Sequence, residues 1–94
     1  MAKYIRKRDD PGYEEACQHA RKRDKNKCQM PGCKRKRKIE VHHILTYAKN
    51  PYLRVDPGNL ICLCQVHHKE VTGKEHCYAV LFQKIVNDNT KRFE

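Results

Sequence analysis

Residues 59–68 read Asn59-Leu60-Ile61-Cys62-Leu63-Cys64-Gln65-Val66-His67-His68. The apolar run from Leu60 to Leu63 is short and leads into Cys64, which suits a buried strand. Residues 65–72 then suit a helix ended by Gly73. Cys64 and His67 form a C-x2-H pair at the start of that helix. A second close pair lies upstream, where Cys28-Gln29-Met30-Pro31-Gly32-Cys33 must turn tightly at its Pro-Gly. Two such pairs separated by a longer loop are the usual layout of a structural zinc site. Zinc takes a tetrahedron of ligands, and a short turn brings two sulfurs to one point. The second pair closes the site, so that binding free energy becomes folding free energy. The candidate zinc ligands are therefore Cys28, Cys33, Cys64 and His67. Cys62 would share one side of an extended strand with Cys64, so geometry alone does not exclude it. Cys64 is favoured because it alone completes the C-x2-H spacing.

A staple of this kind is what the composition asks for. The chain has 94 residues, 38% of them hydrophobic, with two Phe and no Trp. That is one domain with a thin apolar core, and small cores need disulfides, a metal or a partner. The six cysteines allow either disulfides or metal ligation. The N-terminus reads MAKYIRKRDD, with no apolar signal segment, so export is not indicated. A reducing intracellular (cytoplasmic) compartment is expected, which together with the Cys/His pairing favours metal. No apolar run approaches the ~20 residues that span a bilayer. The net charge of +10, from 21 Lys and Arg against 11 Asp and Glu, attracts polyanions. Nucleic acid is the favoured polyanion and anionic membrane the rival.

Outward from the opening stretch, residues 1–10 read as a basic arm and 11–94 as a single domain. Asp10-Pro11 is a helix-start signal, with Asp10 as N-cap. Tyr13, Ala16, Cys17 and Ala20 then form one apolar face of a helix over 11–24, with Cys17 as a small core residue and Arg21, Lys22, Arg23 and His19 on the solvated side. Ile39 to Ile44 suits a strand, with Ile39, Val41 and His43 on one side. Residues 46–58 read as loop. Tyr78, Leu81, Phe82 and Ile85 predict a last helix over 75–87, on which Cys77 is core or surface. His76 follows His68 by two helical turns, but Gly73 separates them.

The remaining histidines complete a pattern. His42-His43 precede the loop, Asn59 follows it, and His68 lies beside His67. Val41-His42-His43-Ile44, Asn59-Leu60 and Leu63-Cys64-Gln65-Val66-His67-His68 together resemble the HNH (His-Asn-His) endonuclease family, whose motif usually reads [D/H]-H-I, N-L and L-C-x-x-C-H. Cys28-x4-Cys33 is similar to the family's first zinc pair. The resemblance covers 28–68 and hardly touches the flanks. His67 stands where Cys is frequent, and imidazole serves zinc equally. His42 stands where many members carry Asp, and His leans towards transition metals.

The resemblance implies an α+β chain with a small zinc-stapled ββα-metal (HNH/His-Me finger) fold and flanking helices. It implies that His42 and His68 hold a catalytic divalent metal (Mg2+, Mn2+ or Ni2+), that His43 is the general base, and that Asn59 positions the loop and His43. The chemistry needs such residues. A DNA phosphodiester has no internal nucleophile, imidazole titrates near neutrality, and a cation neutralises growing charge on phosphate. Adjacent strand residues point to opposite faces, which separates the jobs of His42 and His43. Lys34, Arg35, Lys36, Arg37 and Lys38 read as a DNA-binding run that contacts backbone phosphates without choosing sequence. A solvated turn and a localisation signal also fit that run. Tyr47 and Tyr52 in the loop are left open between stacking and packing. The expected activity is a DNA endonuclease similar to compact phage or mobile-element HNH proteins, whose specificity is either low or supplied by a second protein. The alternatives are a non-catalytic zinc module that binds nucleic acid, or a subunit activated by a partner. RNA stays open as a substrate, and oligomeric state is not legible.

Overall fold

The computed structural model describes residues 11–46 and 48–93. The basic arm, Asp10 and Tyr47 lie outside the described residues. Helix α1 spans Tyr13–Arg23, strands β1 and β2 span Ile39–His43 and Leu60–Cys64, and helices α2 and α3 span Gln65–Val71 and Glu75–Phe93. Two 3-10 turns, Pro51–Leu53 and Pro57–Asn59, lie in the connection between the strands. The chain is α+β, with a two-stranded antiparallel sheet in which Ile39 faces Cys64 and His43 faces Leu60.

β2 is buried along its whole length, which is why its sequence is a continuous apolar run rather than an alternation. Leu60 clusters with Ala16 and Ala20 of α1, and Cys62 Sγ lies 3.8 Å from Ala20 O. Ile61 and Leu63 belong to a larger cluster with Ile44, Val71, Phe82 and Val86. One face of the strand thus meets α1 and the other meets α2 and α3. The Cys28–Cys33 turn docks on the same strand through Gln29 N to Cys62 O at 2.9 Å. Met30-Pro31-Gly32-Cys33 closes with Cys33 N to Met30 O at 2.9 Å, and Gly32 has φ of 87°. Pro at the second position and a left-handed third residue make this a type II turn, which only glycine enters without strain.

The start of α1 differs from the sequence expectation. The first helical residue is Tyr13, preceded by left-handed Gly12 with φ of 83° and no side-chain cap. Pro11 lies in the turn before it, and the intrahelical ladder opens with Ala16 N to Gly12 O at 2.9 Å. The expected solvated face is also corrected, because Arg23 is buried. Positions 16, 20 and 23 are spaced i, i+4 and i+7, so Arg23 falls on the buried stripe of Ala16 and Ala20. Cys17 sits half-buried at the edge of that stripe, and His19 is exposed as expected.

Arg23 is buried because it is fully engaged. Its Nε and Nη2 donate to the two Asp24 carboxylate oxygens at 2.9 and 3.0 Å. Nη1 donates to Pro57 O at 2.7 Å and Nη2 to Leu60 O at 2.6 Å. Asp24 in turn accepts from Cys62 N at 3.1 Å and from Asn89 Nδ2 at 3.0 Å. The last contact explains why α3 runs six residues beyond the expected end at 87. Its apolar signal fades there, but Asn89 is tied to Asp24 and to Gln29 Oε1, and Thr90 Oγ1 donates to Val86 O.

Asp24→Ala would leave Arg23 as a buried charge without its carboxylate. Loss of one member of a buried pair costs about 3–5 kcal/mol. Urea unfolding, run beside the parent under identical conditions, should show a loss of that size. A loss below ~1 kcal/mol, the worth of an exposed pair, would contradict it.

Candidate functional site

The sulfurs of Cys28, Cys33 and Cys64 and a ring nitrogen of His67 all lie within 4.8 Å of one another. His67 Nδ1 is 3.5 Å from Cys28 Sγ and 3.2 Å from Cys64 Sγ. A tetrahedral ion with bonds of ~2.3 Å to sulfur and ~2.0 Å to nitrogen sets its ligand atoms roughly 3.5–3.8 Å apart. The four groups therefore stand at near-ligand spacing and could hold a metal ion such as zinc. Among the described residues they form the only such cluster of three or more potential ligands.

Two segments build it. The type II turn presents Cys28 and Cys33, closed at its far end by Cys28 N to Arg35 O at 3.0 Å. Cys64 ends β2 and is also the residue before α2, so the strand-to-helix corner brings His67 back over it. Burial pushes the Cys64 thiol up, but the His67 backbone N–H and the Cys28, His67 and Cys33 side chains outweigh it and bring the thiol down to about 6. Burial raises Cys28 to about 11. A metal ligates thiolate, and the cluster already favours one thiolate, at Cys64. Cys62, the rival ligand, faces α1 instead. Burial and the Asp24 charge push it up to about 12, an inert core thiol. Cys77 is exposed.

The other histidines gather on the same sheet. His42 and His43 are both buried on β1 and turn to opposite faces. The His42 ring meets His68 edge-on at 5.3 Å and Phe82 at 6.0 Å. The His43 ring stacks on Tyr13 at 5.8 Å with 7° between planes. His43 Nε2 lies 3.0 Å from Arg54 O. A carbonyl only accepts, so Nε2 carries the proton and the lone pair of the neutral ring is on Nδ1. Likewise His68 Nδ1 lies 2.5 Å from Glu40 Oε1, which places the His68 lone pair on Nε2. Asn59 is buried, and its side-chain hydrogen bonds run to the loop. Its Oδ1 accepts from Leu45 N at 2.9 Å, and its Nδ2 donates to Leu45 O and Leu53 O at 3.2 and 3.3 Å. It fastens both ends of the loop whose next carbonyl, Arg54 O, holds His43.

Sequence reasoning missed Glu40, Tyr13 and Glu75. Glu40 was findable, because it is two residues before His42 on one strand face. Tyr13 was assigned to the apolar stripe and also serves as the platform under His43. Burial raises the Glu75 carboxyl, but the Glu75 and Gly73 backbone N–H groups and the charges of His42 and His76 bring it below its ordinary value. That places an acidic group in the electrostatic field of His42, across a turn that no spacing rule reveals. His76 itself is exposed, with Nε2 3.5 Å from Cys77 Sγ. Lys34 to Lys38 are all exposed. Four of them, Arg35, Lys36, Arg37 and Lys38, line an open cavity of about 440 Å³ with Cys64, Gln65 and Val66. No described helix is long and apolar enough to cross a membrane.

The ligand set makes a sharp prediction. Protein loaded with zinc should hold one ion per chain under chelator challenge, read by elemental mass spectrometry. Cys28→Ser and Cys64→Ser should each lose it, whereas Cys62→Ser and Cys77→Ser should keep it. Stripping the metal should lower the helical circular dichroism signal, because ligand binding and folding are linked. Retention by Cys64→Ser and loss by Cys62→Ser would reverse the assignment.

No protein-family model matches this chain, and no curated protein or solved structure does so either. Its function has to be read from the side chains themselves.

Proposed function

We propose that the chain is a divalent-metal-dependent endonuclease of the HNH kind, with the ββα-metal arrangement formed by β1, β2 and α2, and that its substrate is DNA. The observation that carries this reading is the tie between His43 and Asn59. Asn59 fastens the loop at Leu45 and Leu53, and the carbonyl of Arg54 then fixes which nitrogen of His43 is basic. A buried asparagine spent on a loop that orients a histidine tautomer is the support expected for a general base.

The roles follow from the chain's own groups. His43 Nδ1 accepts the proton of the attacking water, while Arg54 O steadies the imidazolium that results. Tyr13 stacks on the ring and limits its swing. His42 and His68 are the candidate ligands of the catalytic ion, and Glu40 orients His68 so that Nε2 is the ligating atom. A divalent ion held there supplies charge neutralisation at the scissile phosphate. Cys28, Cys33, Cys64 and His67 are assigned to structural zinc, which pins the turn to the end of β2. Lys34 to Lys38 are assigned to backbone phosphates. The rival reading, a zinc module that binds nucleic acid without cutting it, requires only the four zinc ligands and the basic run. It leaves His42, His43, Asn59 and His68 without a task.

Supercoiled plasmid incubated with Mg2+, Mn2+ or Ni2+ should be nicked by the parent. His43→Ala, with its zinc retained, should nick at least ~100-fold more slowly, the usual worth of a general base. Glu40→Gln should need roughly 10–100-fold more catalytic ion and recover at saturation, because it acts through His68. If the parent nicks with none of these ions, the endonuclease assignment falls and the binding module takes its place.

A further inference from the structure

We propose that the cavity lined by Arg35, Lys36, Arg37, Lys38, Cys64, Gln65 and Val66 is a separate nucleic-acid phosphate site, built on the zinc-ligand turn and set apart from the cutting centre. The proposal rests on the nuclease reading for its relation to the cut, but not for the binding itself.

Position is the first argument. The cavity opens at the Ile39–Cys64 end of the sheet, and His43 lies at the other end, paired with Leu60. Four residue steps of β1 separate Ile39 from His43, roughly 14 Å at ~3.4 Å per residue. One phosphate cannot serve both places. A duplex strand lying along β1 would pass the cavity about four base steps from the phosphate at His43, since each strand advances ~3.4 Å per nucleotide along the axis.

Shape is the second argument. The cavity of about 440 Å³ is lined by four consecutive cationic residues from the turn and by Cys64 and the exposed Gln65 and Val66 from the strand-to-helix corner. No acidic side chain lines it. The two walls belong to the two segments that carry the Cys/His ligands, so the turn is held at a fixed distance from α2 rather than left to splay. A concave, mostly apolar lining built from cationic residues suits a sugar-phosphate strand, whose sugars meet the apolar surface while the Arg and Lys heads reach its phosphates. Backbone contacts of this kind give affinity without sequence choice.

The third argument is local geometry. Lys38 has φ of 52°, a left-handed conformation that glycine adopts freely and lysine does not. Lys25, just past the end of α1, is left-handed as well, with φ of 59°, so the conformation fixes where the Lys38 side chain leaves the rim and is not by itself a ligand mark. The backbone would relax with glycine there, yet the position carries a cation that lines the cavity.

The test uses the full zinc-loaded chain and a short fluorescent DNA duplex, with no catalytic ion added, so that no cleavage is read. Failure of the nuclease assignment therefore shows only in the plasmid assay. Arg35→Ala with Arg37→Ala should reduce the slope of log affinity against log salt by about 1.8, two contacts at ~0.9 each. Lys38→Gly should reduce it by ~0.9 and yet fold as well as the parent, because it relieves the left-handed lysine. Val66→Glu removes no cation and should still weaken binding, by placing a carboxylate in the cavity. Lys22→Ala with Lys91→Ala, an equal loss of charge on α1 and α3, should leave the slope near the parent value. The proposal is overturned if that control falls as far as the cavity variants, which would mean net charge alone. It is also overturned if Lys38→Gly and Val66→Glu bind like the parent, or if the cavity variants keep their duplex slope and lose only binding to phosphatidylserine vesicles.

Discussion

The structure hangs on one buried ion pair. Arg23 and Asp24 have almost no exposed side chain, and they reach α1, the turn before Asn59, β2 and α3 at once. Such a pair adds little net stability over apolar replacements, because desolvation offsets much of its attraction. Its effect here is geometric. Arg23 grips Pro57 O and Leu60 O, the carbonyls on either side of the Gly58-Asn59 dipeptide. Asn59 then stands at a fixed height above the sheet and fastens the loop that holds His43. Asp24 binds Cys62 N on the strand that ends in Cys64. A single dipeptide at the end of α1 thus sets the registration of the histidine cluster and of the Cys/His group.

Two clusters with different demands share one small sheet, and alternation keeps them apart. Along β1, His42 turns to α2 and α3 while His43 turns to α1. At the start of α2, His67 turns to the sulfurs while its neighbour His68 turns to His42 and Glu40. Successive helix residues are about 100° apart around the axis, which turns the two adjacent rings to different neighbours. The arrangement needs β2 to be immobile, since it carries Cys64 at one end and follows Asn59 at the other. Burial of all five of its residues supplies that.

What was legible in the sequence were features with a short-range signature. The Pro-Gly turn, the C-x2-H pair, the apolar run of β2, the helix ended by left-handed Gly73, and the meeting of Cys28, Cys33, Cys64 and His67 all follow from local spacing. What escaped depends on partners distant in the chain. Arg23 reads as a surface cation until Pro57 and Leu60, 34 and 37 residues away, are seen to accept from it. The tail of α3 reads as polar coil until Asn89 meets Asp24, 65 residues earlier. Gly12 in place of the expected Asp10 and Pro11 start is a failure of another sort, because capping preferences are weak beside the packing that fixes where the apolar stripe begins. The sequence pattern marks Asn59 beside the loop, and its hydrogen bonds to Leu45 and Leu53 are visible only in the fold.

The basic run poses a physical problem that the Cys/His group answers. Five adjacent cations on an exposed turn repel one another and, in a chain of net charge +10, repel the rest of the surface. Three thiolates and a neutral imidazole around a divalent ion would leave a single net negative charge beside the run, since Cys64 lines the same cavity as Arg35 to Lys38. On the zinc assignment the site would therefore do more than join two segments. It would supply the counter-charge that lets the cations stay close together while facing outward. A disulfide between the same segments would join them equally well but would carry no charge. On the zinc assignment the basic run and the metal group would form one electrostatic unit, with the ion's ligands offsetting the positive potential of the turn.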